Sequence, residues 1–282
     1  MKENIRITVE KVRVEGKGVL LLTGPSGCGK GEIAKELCKF LSIPKERHLS
    51  MGDILRKTVI KAKENENFMK TLGEEYNISN DISVLDLEKN PPEVVQKVKN
   101  YLNQITSFLN LNDNFISQFH WLEFCVTNGL LIPDEWTESI IDALLEGTQE
   151  LHKGIFILDG YPRTVYAARN LLKTLNRLDI PVIKVLHLFI TKEQMKLRAF
   201  NRGRIDDTQD SLERRYNFYI DKVQPCIDYL KSSLGSTMVS LIDAHQPVYS
   251  VNGQLDLDAS INEVVLNAMQ ALGLPKFLMD LK

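Results

Sequence analysis

A glycine-rich turn between an apolar run and a helical pattern constrains this chain more than any other segment. Residues 24 to 31 read Gly-Pro-Ser-Gly-Cys-Gly-Lys-Gly. The run before it, residues 18 to 22, predicts a buried strand, and apolar residues spaced three and four apart after it predict a helix. In a strand, turn and helix of this kind, backbone amides and the helix N-terminus point at one spot and can hold phosphate oxygens.

We call residues 24–31 the phosphate loop. Lys30 is expected to reach the outer phosphates of a bound nucleotide. The usual pattern has Ser or Thr after the lysine to meet magnesium, whereas here Gly31 and then Glu32 follow. The alternative is a glycine turn without a ligand, but the flanking strand and helix favour nucleotide binding. The residues expected to surround the nucleotide phosphates are Pro25, Ser26, Gly27, Cys28, Gly29, Lys30, Gly31 and Glu32.

Composition excludes several classes of protein. The 282 residues are 43% hydrophobic and 26% charged, which is typical of a globular protein with one large domain or two small ones. A net charge of −2 argues against a general nucleic-acid or membrane-surface binder. No apolar run approaches the roughly 20 residues of a membrane helix, and no signal peptide is visible. We therefore expect neither nucleic acid nor a membrane as a partner.

The cysteines favour a reducing compartment. The four of them show no paired metal-ligand spacing. Cys28 lies inside the phosphate loop, where a disulfide would interfere with ligand binding. A cytoplasmic location is the simplest expectation.

Strands alternate with helices along most of the chain, which predicts an α/β fold with a doubly wound parallel sheet. Residues 57–128 differ, because they are polar and rich in turn residues and then show two helical patterns. We predict a helical insertion over 57–128 and a core formed by 1–56 and 129–282. Its aromatic residues, Phe115, Phe119, Trp121 and Phe124, are expected to form the core of the insertion; the alternative is a partner-binding face. Besides residues 18–22, strands are predicted over 154–158, 182–190, 238–242 and 248–251, and residues 5–14 are predicted to form a strand or a short hairpin.

Asp159 ends an apolar strand and is followed by Gly160 and Arg163. Beside a phosphate loop, a carboxylate at this end of a strand can orient magnesium and its waters. Arg56 lies near a helix start that Asp53 is expected to cap, and taken alone it is best interpreted as a solvated surface arginine.

A second group of arginines follows the third long strand: Arg198, Arg202, Arg204 and Arg215. Gly203 interrupts the helix between them. They form either a solvated, salt-bridged face or a phosphate-binding group. The phosphate loop and Arg163 favour the phosphate-binding interpretation.

Four motifs in this order resemble those of adenylate kinases and related nucleoside monophosphate kinases: the phosphate loop, residues 48–56, residues 159–164 and residues 203–207. The resemblance covers residues 18–56 and 128–273. It implies a doubly wound sheet of the P-loop nucleotide kinase type. It also implies a phosphotransferase that uses ATP and Mg²⁺ and phosphorylates a nucleoside monophosphate, with AMP favoured. In that family a glycine also follows the loop lysine, but Glu32 stands where the family usually has Thr.

The resemblance also implies roles for individual residues. Lys30 would follow the transferred phosphoryl group, and Asp159 would hold magnesium-bound water. Arg56 and Arg163 would grip the acceptor monophosphate beside Ser50, Met51 and Gly160; Arg198 would stack on the donor adenine; Arg202, Arg204 and Arg215 would gather round the phosphates when a short lid, about 202–208, closes.

Two departures from the family pattern leave the acceptor base open. Ala167 stands where most adenylate kinases have a Gln that reads the AMP base, and Met51 replaces a Thr. UMP, CMP or a deoxynucleotide therefore remain alternatives. An alternative of another class is a nucleotide-dependent ATPase or binding protein whose insertion recruits a partner. Arg56 and Arg163 favour transfer, since an ATPase needs no acceptor clamp. The oligomeric state stays open, with a monomer as the expectation.

Overall fold

The computed structural model describes residue 12 and residues 14–110, 115–202 and 209–274. The chain divides into two compact units, Met1–Met51 with Thr148–Lys282 and Gly52–Gly147. The predicted helical insertion, 57–128, lies wholly within the second unit. Most of the strand or hairpin predicted over 5–14 and most of the predicted lid lie outside the described residues.

The first unit is built on a parallel sheet. Its strands are β1 (Gly18–Thr23), β2 (His48–Ser50), β3 (Ile155–Asp159), β4 (Val182–Phe189) and β5 (Val239–Asp243). Their order is β2-β3-β1-β4-β5, and every neighbouring pair is parallel. Every residue of β1 and β3 is buried, as expected of strands covered on both faces, and this burial explains their continuous apolar sequences. The predicted α/β fold with a doubly wound parallel sheet is confirmed.

Eleven helices and a short hairpin complete the described residues. The helices are α1 (Lys30–Phe40), α2 (Met51–Glu64), α3 (Glu66–Glu75), α4 (Pro92–Leu109), α5 (Gln118–Asn128), α6 (Asp134–Gly147), α7 (Val165–Arg177), α8 (Lys192–Arg202), α9 (Gln209–Phe218), α10 (Gln224–Leu234) and α11 (Leu257–Ala271), and the hairpin strands are β6 (Val248–Tyr249) and β7 (Leu255–Asp256). A π-helical turn, Tyr219–Val223, joins α9 to α10. None of the helices within the described residues is long and apolar enough to cross a bilayer.

The core of the first unit joins the sheet to its helices. Leu20 of β1 and Leu37 of α1 belong to one buried cluster that also takes in Met269 of α11. Complete burial of a leucine side chain stabilises a fold by about 1.5–3 kcal/mol, so the apolar spacing of α1 fixes that helix against the sheet. Among the other helices of this unit, α7 packs against α10. All four cysteines are buried and unbridged.

The second unit has an aromatic core of its own. Trp121 and Phe124 on α5 are 1% and 2% exposed, and their ring centroids lie 5.9 Å apart. Tyr101 of α4 contacts both rings. The prediction that the aromatic residues form a core is confirmed for Phe119, Trp121 and Phe124, whereas Phe115 is 42% exposed.

Buried amide side chains fix the segment between α3 and α4 in the second unit. Oε1 of Gln118 accepts a hydrogen bond from the Ser79 amide at 2.9 Å, and its Nε2 donates to Oδ1 of Asn90 at 2.8 Å. Asn90 in turn donates to the backbone carbonyl of Ser83. Buried polar groups must be paired in this way, so the segment is held to the start of α5.

Candidate active site

The phosphate loop is shaped by a glycine at its start and by another just before α1. Gly24 has φ 146°, and a β-carbon there would lie 2.5 Å from the Leu188 carbonyl oxygen of β4, so only glycine fits. Gly29 has φ 89° and precedes α1 without a side-chain cap. The loop therefore passes tightly against the sheet and enters α1 with its first amides available to a ligand.

Lys30 holds a positive charge inside the loop. Its Nζ donates to the carbonyl oxygens of Gly24 at 3.0 Å and Pro25 at 2.8 Å, and lies 3.6 Å from Sγ of Cys28. Lys30 is half-buried and Cys28 is 1% exposed. The ammonium is thus folded back over the loop, in a position to meet an anion that the loop amides bind.

The Asp159 carboxylate lies beside the start of α1. It ends β3, which pairs with β1, and a β-carbon added to Gly31 would lie 4.0 Å from its Oδ2. Asp159 is 6% exposed, and its Oδ1 is buried without a hydrogen-bond partner. A buried carboxylate oxygen without a donor is costly, so this atom fits a site where a ligand or a metal-bound water supplies one.

His48 is a neighbour of Asp159 to which the sequence assigned no role. Its Nε2 lies 3.5 Å from Oδ2 of Asp159 and is itself buried without a hydrogen-bond partner. In β2, Ser50 pairs with Asp159, so His48 lies two residues earlier and points to the same face of the sheet. The sequence signal that could have identified His48 is its spacing of two residues from Ser50, which is the period of a strand; β2 was not predicted.

The turn after β3 places Arg163. Its Nε donates to the Gly160 carbonyl at 2.7 Å, and Gly160 has φ 78°. Desolvation by surrounding protein atoms lowers the pKa of Arg163, and the Asp159 carboxylate raises it. The residue is exposed to solvent, which screens both influences, so the guanidinium stays charged.

Arg198 links α8 to the phosphate loop. Its Nη2 donates to the Ala244 carbonyl, just after β5, at 2.6 Å, and its Nη1 lies 3.5 Å from the Gly27 carbonyl oxygen. Desolvation lowers the pKa of Arg198, and Cys28 and Asp243 oppose this change. Ala244 is a contact that the sequence did not indicate.

The expected acceptor residues divide between the two units. Ser50 ends β2 and Met51 is 3% exposed; a β-carbon on Gly160 would lie 4.0 Å from Cβ of Met51. Arg56 belongs to the second unit, where its guanidinium pairs with Asp53 on the exposed side of α2. The prediction that Asp53 caps this helix is wrong, because α2 already begins at Met51.

The arginines expected to close over the phosphates are only partly described. Arg202 is the last residue of α8, and Arg215 is half-buried on α9. Arg204 and the Arg202 side chain lie outside the described part of the structure. Arg198, on the same helix as Arg202, contacts the loop through the Gly27 carbonyl oxygen.

The phosphate loop, the Asp159 carboxylate and Arg163 all lie at the carboxyl ends of β1 and β3. Ligands of open α/β sheets bind at this edge, and phosphoryl transfer needs charges placed around phosphate rather than covalent chemistry. Fold and site together define the chain as a P-loop nucleotide kinase, which is a class of phosphotransferase.

Comparison with known proteins narrows this class. The family model described as adenylate kinase matches residues 120–234. An adenylate kinase of Cyanothece sp. (strain PCC 7425 / ATCC 29141) is 29% identical over 240 residues, which are 84% of this chain and 92% of the relative. Adenylate kinases of Mycolicibacterium vanbaalenii and Alkaliphilus oremlandii are 29% and 26% identical, and each match covers 90% of this chain and 98% of the relative. The chain is thus similar to adenylate kinases over most of its length, and these relatives support a nucleoside monophosphate kinase.

Proposed function

We propose that this enzyme transfers the γ-phosphoryl group of ATP reversibly to AMP, with Mg²⁺. The observation that carries the proposal is the Asp159 carboxylate, whose buried oxygen lacks a hydrogen-bond partner beside the phosphate loop. AMP as the acceptor is supported by relatives that are named adenylate kinases and match most of the chain.

The donor would bind along the phosphate loop. Amides of residues 25–32 would hold its phosphates, and Lys30 would follow the transferred group. Arg198, which is fixed to the loop and to Ala244, would pack on the adenine, and Arg202 would approach the phosphates. This arrangement places positive charge where negative charge develops in the transition state.

Magnesium would be held mainly by nucleotide phosphates and water. Mg²⁺ keeps several waters and is usually bound by one or two carboxylates together with substrate phosphates. Oδ1 of Asp159 has no hydrogen-bond partner and can accept a hydrogen bond from such a water, so the residues present fit this mode. When bound, the ion would neutralise charge between the β- and γ-phosphates.

The acceptor phosphate would be held by Arg56 and Arg163, with Ser50, Met51 and Gly160 beside the nucleotide. Arg56 pairs with the exposed carboxylate of Asp53, and exposed ion pairs are weak, so a phosphate can replace Asp53. Arg204 and Arg215 would complete the site when the lid closes. The insertion, 57–128, would carry the acceptor.

A pyrimidine or deoxynucleotide acceptor is the second candidate. Ala167 stands where most of the family has a base-reading Gln, and it is 1% exposed, packed in the first turn of α7. Position 167 therefore offers no polar side chain that could distinguish adenine from another base.

A panel of AMP, dAMP, GMP, CMP and UMP with MgATP tests the proposal. We expect kcat/KM to be highest for AMP. Because the base-reading Gln is absent, the ratio of kcat/KM between AMP and the other monophosphates should be about 10- to 100-fold, which pocket shape alone can supply. If kcat/KM were higher for UMP or CMP than for AMP, the pyrimidine nucleotide would be the substrate and the proposal of AMP would be wrong.

The variant Arg163→Met tests the proposed acceptor site. Its KM for the acceptor should rise, while its Kd for ATP should be unchanged.

A further inference from the structure

Glu32 places a carboxylate in the first turn of the helix that follows the phosphate loop. Gly29 precedes α1 without a side-chain cap, and Lys30, Gly31 and Glu32 are its first three residues. Their amides have no acceptor within the helix. Together with the helix dipole they attract any anion, which includes the phosphates of a donor and the carboxylate of Glu32 itself.

In the structure this carboxylate is paired within α1. Nζ of Lys35 donates to Oε1 of Glu32 at 2.8 Å, and both side chains are 59% exposed. Such an i, i+3 pair on a solvated helix face contributes little to folding stability. The ion pair has a different effect on a nearby anion site. When Lys35 pairs with Glu32, the carboxylate charge is neutralised; without the pair, a net negative charge lies near the ligand.

We propose that Lys35 is a positioning residue of the donor site. Its ammonium holds the Glu32 carboxylate along α1 and neutralises it, so that the donor phosphates meet the loop amides without competition from that charge. The proposal rests on the proposed function, in which the loop binds ATP. It assigns Lys35 an action through Glu32 and no contact with the nucleotide.

A double-mutant cycle isolates this action. The variants are Lys35→Met, Glu32→Gln and the two combined, and the measured quantity is the Kd for ATP with and without Mg²⁺, by calorimetry. Lys35→Met leaves the Glu32 charge unpaired and should raise the Kd for MgATP by up to about fivefold, the factor that a unit charge at contact distance is worth in water. The increase should be larger for metal-free ATP, which carries more negative charge, and smaller at high salt. In the Glu32→Gln background, Lys35→Met should change nothing.

The next turn of α1 supplies a matched control. Lys39 pairs with Glu36 at the same i, i+3 spacing on an exposed part of the helix. Lys39→Met should leave the Kd for ATP unchanged, and Lys35→Arg should keep the wild-type value. Thermal unfolding of all variants should agree closely, since none of these pairs is buried.

Several outcomes would overturn the proposal. An equal effect of Lys35→Met with Glu32 present and absent would mean that Lys35 acts on ATP directly. Weaker MgATP binding in Glu32→Gln would mean that the carboxylate helps to hold the metal. Failure of the wild-type protein to bind ATP at all would instead refute the proposed function, and this proposal with it.

Discussion

His187 is a buried titratable side chain close to the phosphate loop. It lies on β4, is 3% exposed, and its Nε2 is 2.8 Å from the Tyr219 hydroxyl. Desolvation, with Lys231 and Lys30, lowers the pKa of His187 to about 4, and Asp228 opposes this shift. The imidazole is therefore neutral in the folded protein at pH values where it is charged in the unfolded chain.

This difference makes stability depend on pH. Below pH 6.5 the unfolded chain binds a proton that folded His187 does not take up until about pH 4, so acidification favours unfolding. The free energy of unfolding should fall by about 1.4 kcal/mol per pH unit in that window on account of this group. Denaturant titrations between pH 6.5 and 5 measure the loss, and His187→Gln, which keeps a polar group but does not titrate, should lose about 2 kcal/mol less over the same interval. Equal losses in both proteins would contradict the assignment.

At the scale of elements, the turn between β3 and α7 depends on a helix cap. Oγ1 of Thr164 accepts a hydrogen bond from the Ala167 amide at 3.0 Å, directly after Arg163. Because the cap fixes where α7 begins, it also fixes the backbone that carries Arg163. The cap thus belongs to the support of the proposed acceptor site.

Thr164→Ala removes this cap and should lower the free energy of unfolding by about 1 kcal/mol. It should also raise the KM for AMP more than the KM for ATP. Thr164→Ser, which keeps the hydroxyl, is the matched control and should retain both KM values. Equal changes in both KM values for the alanine variant would show that the turn serves stability alone. Chemical denaturation and initial-rate kinetics provide these measurements.

The sequence predicted the elements whose own residues carry a clear pattern. β1 and β3 are apolar runs because they are covered on both faces, β4 is buried over Val185–Leu188, and α1 shows helical spacing. β2 was not predicted, since three residues show no run and its existence depends on pairing with β3. α3 was also missed, because its sequence is polar; the Asn65 cap and buried Leu72 hold it in place.

The candidate site divides in the same way. Lys30, Asp159 and Arg163 were identifiable because each follows a strand within one short motif. His48 beside Asp159, and Ala244 beside Arg198, join segments that are far apart in the chain. Such contacts arise from the register of parallel strands and from the packing of α8, and neither is encoded in a local pattern.

At the scale of the whole molecule, the residues proposed to bind the donor lie in the first unit, whereas those proposed for the acceptor are divided between the two units. The phosphate loop and Asp159 belong to the first unit and Arg56 to the second. If the second unit carries the acceptor, a monophosphate should change its dynamics, because a ligand shifts conformations only through differential binding.

Hydrogen exchange of residues 57–110 and 115–128 tests this expectation. AMP alone, and a bisubstrate analogue, should slow exchange there, while ATP alone should have little effect. Arg56→Met should abolish the response to AMP and keep the protection that ATP gives to residues 24–31. Protection of the second unit by ATP alone would argue against an acceptor role and for a partner-binding module.

The measurement that tests the central claim most directly follows the phosphoryl group itself. ATP labelled on its γ-phosphate is incubated with unlabelled AMP and Mg²⁺, and the products are separated. Transfer predicts that the label appears in ADP, only when AMP is present, and that Lys30→Met slows this by at least about 100-fold through lost transition-state stabilisation. Label released as inorganic phosphate, at the same rate with and without AMP, would contradict transfer and identify an ATPase.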